Sequence, residues 1–108
     1  MLKIVPTPEF IKQVKRVAKT YRQIANDLES LKKQLVKNPK IGTELGGKCF
    51  KIRVANSSIP TGKSGGFRVV TYFIDNNDTI RLLLIYSKTE KENISNKELE
   101  EVLRNNDL

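Results

Sequence analysis

The sequence predicts an α+β fold, with an N-terminal strand and a helical hairpin packed on an antiparallel β-sheet and a short C-terminal helix closing the chain. Two patterns carry that expectation. Apolar residues from Phe10 to Leu35 recur at alternating four- and three-residue steps, the period of a helix face. Beyond Pro39 the period changes to two: Cys49 to Ala55 alternates, and two strongly apolar runs, Phe67–Ile74 and Ile80–Tyr86, flank the turn formers Asp75, Asn76, Asn77 and Asp78. At 108 residues the chain suits a single domain spanning residues 1–108.

Leu2 to Val5 is a short strand candidate ended by Pro6. Thr7, Pro8 and Glu9 then supply an N-cap oxygen, a proline at the first helical position and an acid in the first turn. The stripe Phe10, Val14, Val17, Tyr21, Ile24, Leu28, Leu31, Leu35 meets no Gly or Pro until Pro39. Taken as one helix it would run roughly 45 Å, against about 30 Å for a domain of this size. A long coiled-coil helix and a hairpin of two helices both fit the stripe. The hairpin, broken near Lys19 to Gln23, is favoured because an apolar sheet face needs that much cover. The cations beside the stripe, Lys12, Lys15, Arg16, Lys19, Lys32, Lys33 and Lys37, are expected on a solvated face.

Ile41 to Gly47 is read as a glycine-bearing connection. In the strand that follows, Phe50, Ile52 and Val54 point one way and Lys51 and Arg53 the other. Near the end, Ser95 with Glu98 forms a capping box, and Leu99, Val102 and Leu103 give the last helix one apolar edge. That edge is expected to cover Val70, Ile74, Leu82 and Leu84 of the hairpin.

The composition, 38% hydrophobic and 30% charged, is that of a soluble globular chain, and no apolar run is long enough to span a membrane. The start, with two prolines where a signal peptide needs its apolar stretch, is read as that of an intracellular protein. Cys49, the single cysteine, excludes an internal disulfide and is expected to be a small buried strand residue. Histidine is absent, which excludes a Ser-His-Asp or Cys-His hydrolase and leaves no plausible zinc site. The GKS at residues 62–64 lacks the earlier glycine and following helix of a phosphate-binding loop, so no nucleotide cofactor is expected.

Net charge is +8, of which residues 1–47 carry +6, residues 48–75 carry +4 and residues 76–108 carry −2. Such an excess favours a polyanionic partner. Arg68, Arg81 and Lys88 sit among residues that belong in a dry interior. A charge held against an apolar sheet is often there for a ligand. If Asp75 faces Thr79 across a three-residue loop, Arg68 lies opposite Tyr86, with Lys88 a diagonal step away on the same face. A loop one residue longer would flip that relation.

The order of elements, together with FKIRV, GKSGGFRVVTYF and LLLIYSKTEKENIS, resembles the RelE/ParE superfamily of toxins from bacterial toxin–antitoxin pairs, closest to its RelE and HigB-like members. The resemblance spans essentially the whole chain. It implies a metal-free, cofactor-free endoribonuclease that cuts mRNA in the ribosomal A site of the cytoplasm, arresting translation, and a cognate antitoxin that covers or distorts the basic face. Carried over by position, Lys51 and Arg53 match the family's basic pair, Arg68 the arginine after its glycine, and Lys88 the basic cluster ending the last strand. These four are the candidate catalytic residues, with Lys63, Tyr86 and Lys91 as RNA contacts.

The final helix lacks the tyrosine that some RelE proteins use as base, and the histidines of HigB relatives are missing, so the proton carrier is unassigned. The ParE branch, which poisons DNA gyrase by binding, shares the fold and is the alternative reading. The cation-rich strand with Lys51 and Arg53 favours the nuclease.

Overall fold

The computed structural model describes residues 2–59, 66–74, 78–88 and 93–108. The elements are β1 (Lys3–Pro6), α1 (Pro8–Ala18), α2 (Ile24–Lys37), β2 (Thr43–Gly46), β3 (Cys49–Val54), β4 (Phe67–Ile74), β5 (Thr79–Ser87) and α3 (Asn96–Asn105). They form one five-stranded sheet in the order β1-β5-β4-β3-β2. β2 to β5 are antiparallel, while β1 adds to β5 in parallel, so the sheet is mixed.

Thr7 caps α1, its Oγ1 accepting from the Phe10 N–H at 3.3 Å. The same hydroxyl donates to the Leu82 carbonyl at 3.0 Å, so the cap also ties the helix to β5. The long stripe does break: α1 stops at Ala18 and α2 starts at Ile24, with Lys19 to Gln23 as the turn. The break lets both helices lay their apolar faces on the same side of the sheet. Phe10, Val17, Ile24, Leu31 and Leu35 are buried there with Ile52, Val54, Phe67, Val69, Phe73, Ile80, Leu82 and Ile85. Each large side chain so covered contributes about 1.5–3 kcal/mol.

The other side of the sheet carries a smaller cluster, Cys49, Val70, Leu83, Leu84 and Tyr86, closed by Leu99 of α3. The expected capping box is present, with Glu98 N–H donating to Ser95 Oγ at 3.1 Å and Ser95 N–H to Glu98 Oε1 at 3.3 Å.

Three expectations need correction. Residues 41–47 are more than a connection, because Thr43–Gly46 pairs with β3 as the sheet's edge strand. Gly42 permits that approach: its φ is +106°, and a Cβ there would come within 2.4 Å of the Lys51 carbonyl oxygen.

The hairpin loop is four residues long, not three, since the last pair is Ile74 with Thr79. A longer loop alone would have turned Arg68 away from Tyr86. The register shifts between Val70 and Thr71, Leu83 being the extra residue of a β-bulge, and Arg68 still stands opposite Tyr86.

The bulge also redirects the residues before it. Leu83 and Leu84 both pack under α3, whereas Leu82 joins the core beneath α1 and α2, and Ile74 belongs to neither cluster.

Candidate nucleic-acid interface

Direct pairing places Arg53, Arg68 and Tyr86 in one row across β3, β4 and β5, all on the α3 side of the sheet. Lys51, Val70 and Leu84 form the next row, so Lys51 lies roughly 7 Å along β3 from Arg53 on the same face. The strand alternation that buries Phe50, Ile52 and Val54 under the helices is what turns Lys51 and Arg53 toward this side.

Gly66 holds the row together at its start. A Cβ at this position would meet the Val54 carbonyl oxygen at 2.2 Å, so only glycine lets the chain enter β4 close enough to pair Phe67 with Val54 and Arg68 with Arg53.

The row is graded in exposure. Arg53 is exposed and Lys51 half-buried, its ammonium donating to Asn93 Oδ1 at 3.0 Å. Arg68 is only 5% exposed and donates from Nη1 to the Phe67 carbonyl at 3.2 Å. Tyr86 is buried beside it, on the floor of a cleft of about 610 Å³ between α1 and α3 that Arg16, Glu98 and Glu101 help to line. Among the described residues, no carboxylate lies within ion-pair distance of Lys51, Arg53 or Arg68. A guanidinium remains a cation when buried, so Arg68 is a positive charge that no described carboxylate pairs, at the buried end of a row that runs out to the exposed Arg53.

Burial pushes the Tyr86 phenol above its ordinary pKa, Arg68 pulling the other way and Glu98 adding to the rise. Cys49, fully buried at the start of β3, has its thiol pushed up to about 11 by the same cause, which fits a packing residue and not a nucleophile.

Lys88 stands one residue beyond the end of β5, exposed, in a turn whose Lys88 N–H donates to the Gly66 carbonyl at 3.3 Å. Lys63 and Lys91 lie outside the described residues. Arg81 is not part of the group: it pairs with Tyr72, four positions along β4 from Arg68, roughly 13 Å away.

Two polar contributors escaped sequence reasoning. Asn93 meets Lys51 from 42 residues away, a contact no local pattern announces. Glu98 is legible only as half of a capping box, yet its charge is felt by Tyr86. Asp27, buried on α2, anchors the segment after β3 by accepting from the Ser57 N–H at 3.1 Å.

Solved structures with the same fold include the intact E. coli RelBE toxin–antitoxin complex, at 17% sequence identity over 79% of this chain and 94% of that chain, TM-score 0.59. A double-mutant E. coli RelE toxin in the free state matches at 20% identity over 96% of each chain, TM-score 0.58. The isolated E. coli RelE toxin matches at 17% identity over 96% of this chain and 98% of that chain, TM-score 0.61. The family model described as the RelE toxin of the RelE / RelB toxin–antitoxin system matches residues 10–106, so the chain belongs to the RelE toxin family.

Proposed function

We propose that this toxin is a ribosome-dependent endoribonuclease of the cytoplasm that cuts mRNA in the 30S A site, without metal or cofactor, and is silenced by a cognate antitoxin. The observation that carries the reading is the row Arg53, Arg68, Tyr86 with Lys51 beside it, four donors on one side of the sheet; among the described residues no carboxylate lies within ion-pair distance of its three cations. Like charges set directly opposite each other across a strand pair are destabilising. A phosphate lying between the two guanidinium groups removes that repulsion.

In the reaction, the 2′-oxygen attacks the adjacent phosphorus and the bond to the 5′-oxygen breaks, leaving a 2′,3′-cyclic phosphate and a 5′-hydroxyl. The 2′-hydroxyl proton must leave and the 5′-oxygen must gain one. Arg68 is assigned to the extra negative charge on the pentacovalent phosphorus, which its planar fork suits. Lys51 and Arg53 position the backbone, Lys51 supplying the proton that the 5′-oxygen gains while the 2′-hydroxyl proton passes to solvent, and the Tyr86 phenol donates a hydrogen bond to phosphate. Lys88 orients the RNA, and Lys63 and Lys91 are assigned to the same task.

The test is to induce the protein in a bacterium and map RNA 5′ ends together with DNA integrity. Codon-phased cuts in mRNA that vanish in Arg68→Ala are the expected result. DNA breakage with intact mRNA, or neither lesion, would overturn the reading.

A further inference from the structure

The Lys51 ammonium on β3 donates to Asn93 Oδ1 at 3.0 Å, on the segment that leads into α3. That segment is fixed just beyond the contact. Ile94 packs against the apolar cluster beneath α3, and Ser95 caps the helix through its reciprocal box with Glu98. Lys51 itself is half-buried, and its direct neighbours across the strands, Thr43 and Val70, carry no charge. Among the described residues, Asn93 is the hydrogen-bond partner of this ammonium.

The chemistry of that partner matters. Lysine carries its charge on a flexible four-carbon stem, and an acceptor that fixes the end of the stem beforehand removes a search from the reaction. A carboxylate in the same place would hold the ammonium as well, but it would favour the charged form, making a poorer acid, and would cancel the attraction for phosphate. An amide oxygen does neither. It is neutral and takes one of the three N–H bonds, leaving two donors and the whole charge for a ligand.

We propose that Asn93 is a positioning residue, holding the Lys51 ammonium where it can hand a proton to the departing 5′-oxygen. The proposal rests on the nuclease reading above and adds to it the neutral acceptor that the reading lacks. As the bond from phosphorus to the 5′-oxygen breaks, its electron pair stays on oxygen, one Nζ proton moves to that oxygen, and the amine left behind regains a proton from water. Asn93 acts only through Lys51.

The experiment is single-turnover cleavage of mRNA on programmed ribosomes by the full chain, with circular dichroism checking that each variant is folded. Asn93→Ala and Asn93→Ser should each lower the maximal rate about tenfold while the concentration for half-saturation stays within about twofold of the parent's. Asn93→Asp, which keeps an acceptor but adds a charge, should do no better than alanine. Combining Asn93→Ala with Lys51→Ala should slow cleavage no further than Lys51→Ala alone. An mRNA with sulfur in place of the 5′-oxygen at the cut, a leaving group that needs no proton, should erase the Asn93→Ala defect, whereas a merely structural lesion would persist. Parent-like rates in Asn93→Ala, Asn93→Ser or Asn93→Asp, a defect that adds in full to that of Lys51→Ala, or one that survives on the sulfur substrate would each overturn the proposal while leaving the nuclease reading intact. A parent that cuts no mRNA would strike both.

Discussion

Arg53 stands directly opposite Arg68 across β3 and β4, one guanidinium exposed and the other 5% exposed. Two like charges in neighbouring strands lose stability, and burying one of them adds desolvation to the loss. Folding alone gives no reason to keep Arg68.

An apolar residue of similar length should therefore be harmless to the fold. Arg68→Met is expected to leave stability unchanged or to raise it by about 1 kcal/mol, while abolishing growth arrest. Thermal unfolding compared with the parent measures this. A fall of more than about 2 kcal/mol would make the guanidinium a structural tie, not a ligand-facing charge.

The entry to β4 has no room for a methyl group at Gly66, where a Cβ would sit 2.2 Å from the Val54 oxygen. Gly66→Ala should cost about 2 kcal/mol by pushing β4 away from β3. Because that displacement separates Arg68 from Arg53, activity should fall further than the loss of folded protein explains. Denaturant titration and activity per folded molecule are the two readings.

Stability should decline at alkaline pH. The Cys49 thiol is raised from 9.0 to about 11 in the folded chain, so its contribution is full below pH 9 and disappears as pH climbs to 11. That shift corresponds to about 2–3 kcal/mol. Tyr86, raised in the same direction, adds to the loss at the upper end. Urea unfolding at pH 8, 10 and 11 should show the decline, and Cys49→Ala should remove most of its lower part.

RNA affinity should fall steeply with salt, since the contacts proposed are to phosphate. Lys51→Ala and Arg53→Ala should each lower the slope of log affinity against log salt by roughly 0.7–1 and weaken all sequences alike. An unchanged slope in both variants would remove these residues from the interface.

How much of this could be read beforehand depended on distance along the chain. The helical stripe, the Thr7 cap and the Ser95–Glu98 box are local patterns, and each appears where the residues indicate. The pairing of Arg68 with Tyr86 was reached with the wrong loop length, because a bulge at Leu83 offsets the extra loop residue. Nothing in a run as uniform as LLLI announces where a strand will bulge. β2 was hidden for a similar reason: its glycines look like loop, and only the edge of β3 makes Thr43–Gly46 a strand. Spacing puts Lys51 and Arg53 on one side of their strand, but the pairing of Arg53 with Arg68 and the burial of Arg68 and Tyr86 depend on elements far away in sequence.

Single-turnover cleavage of mRNA on programmed ribosomes, comparing the parent with Arg68→Ala and Arg68→Lys, tests the phosphate-binding row most directly. If the fork of Arg68 holds the charge that builds on phosphorus, the alanine variant should lose about two to three powers of ten in rate, roughly 3–4 kcal/mol, and lysine should restore little of it. Cleavage by Arg68→Ala at the parent's rate would contradict it.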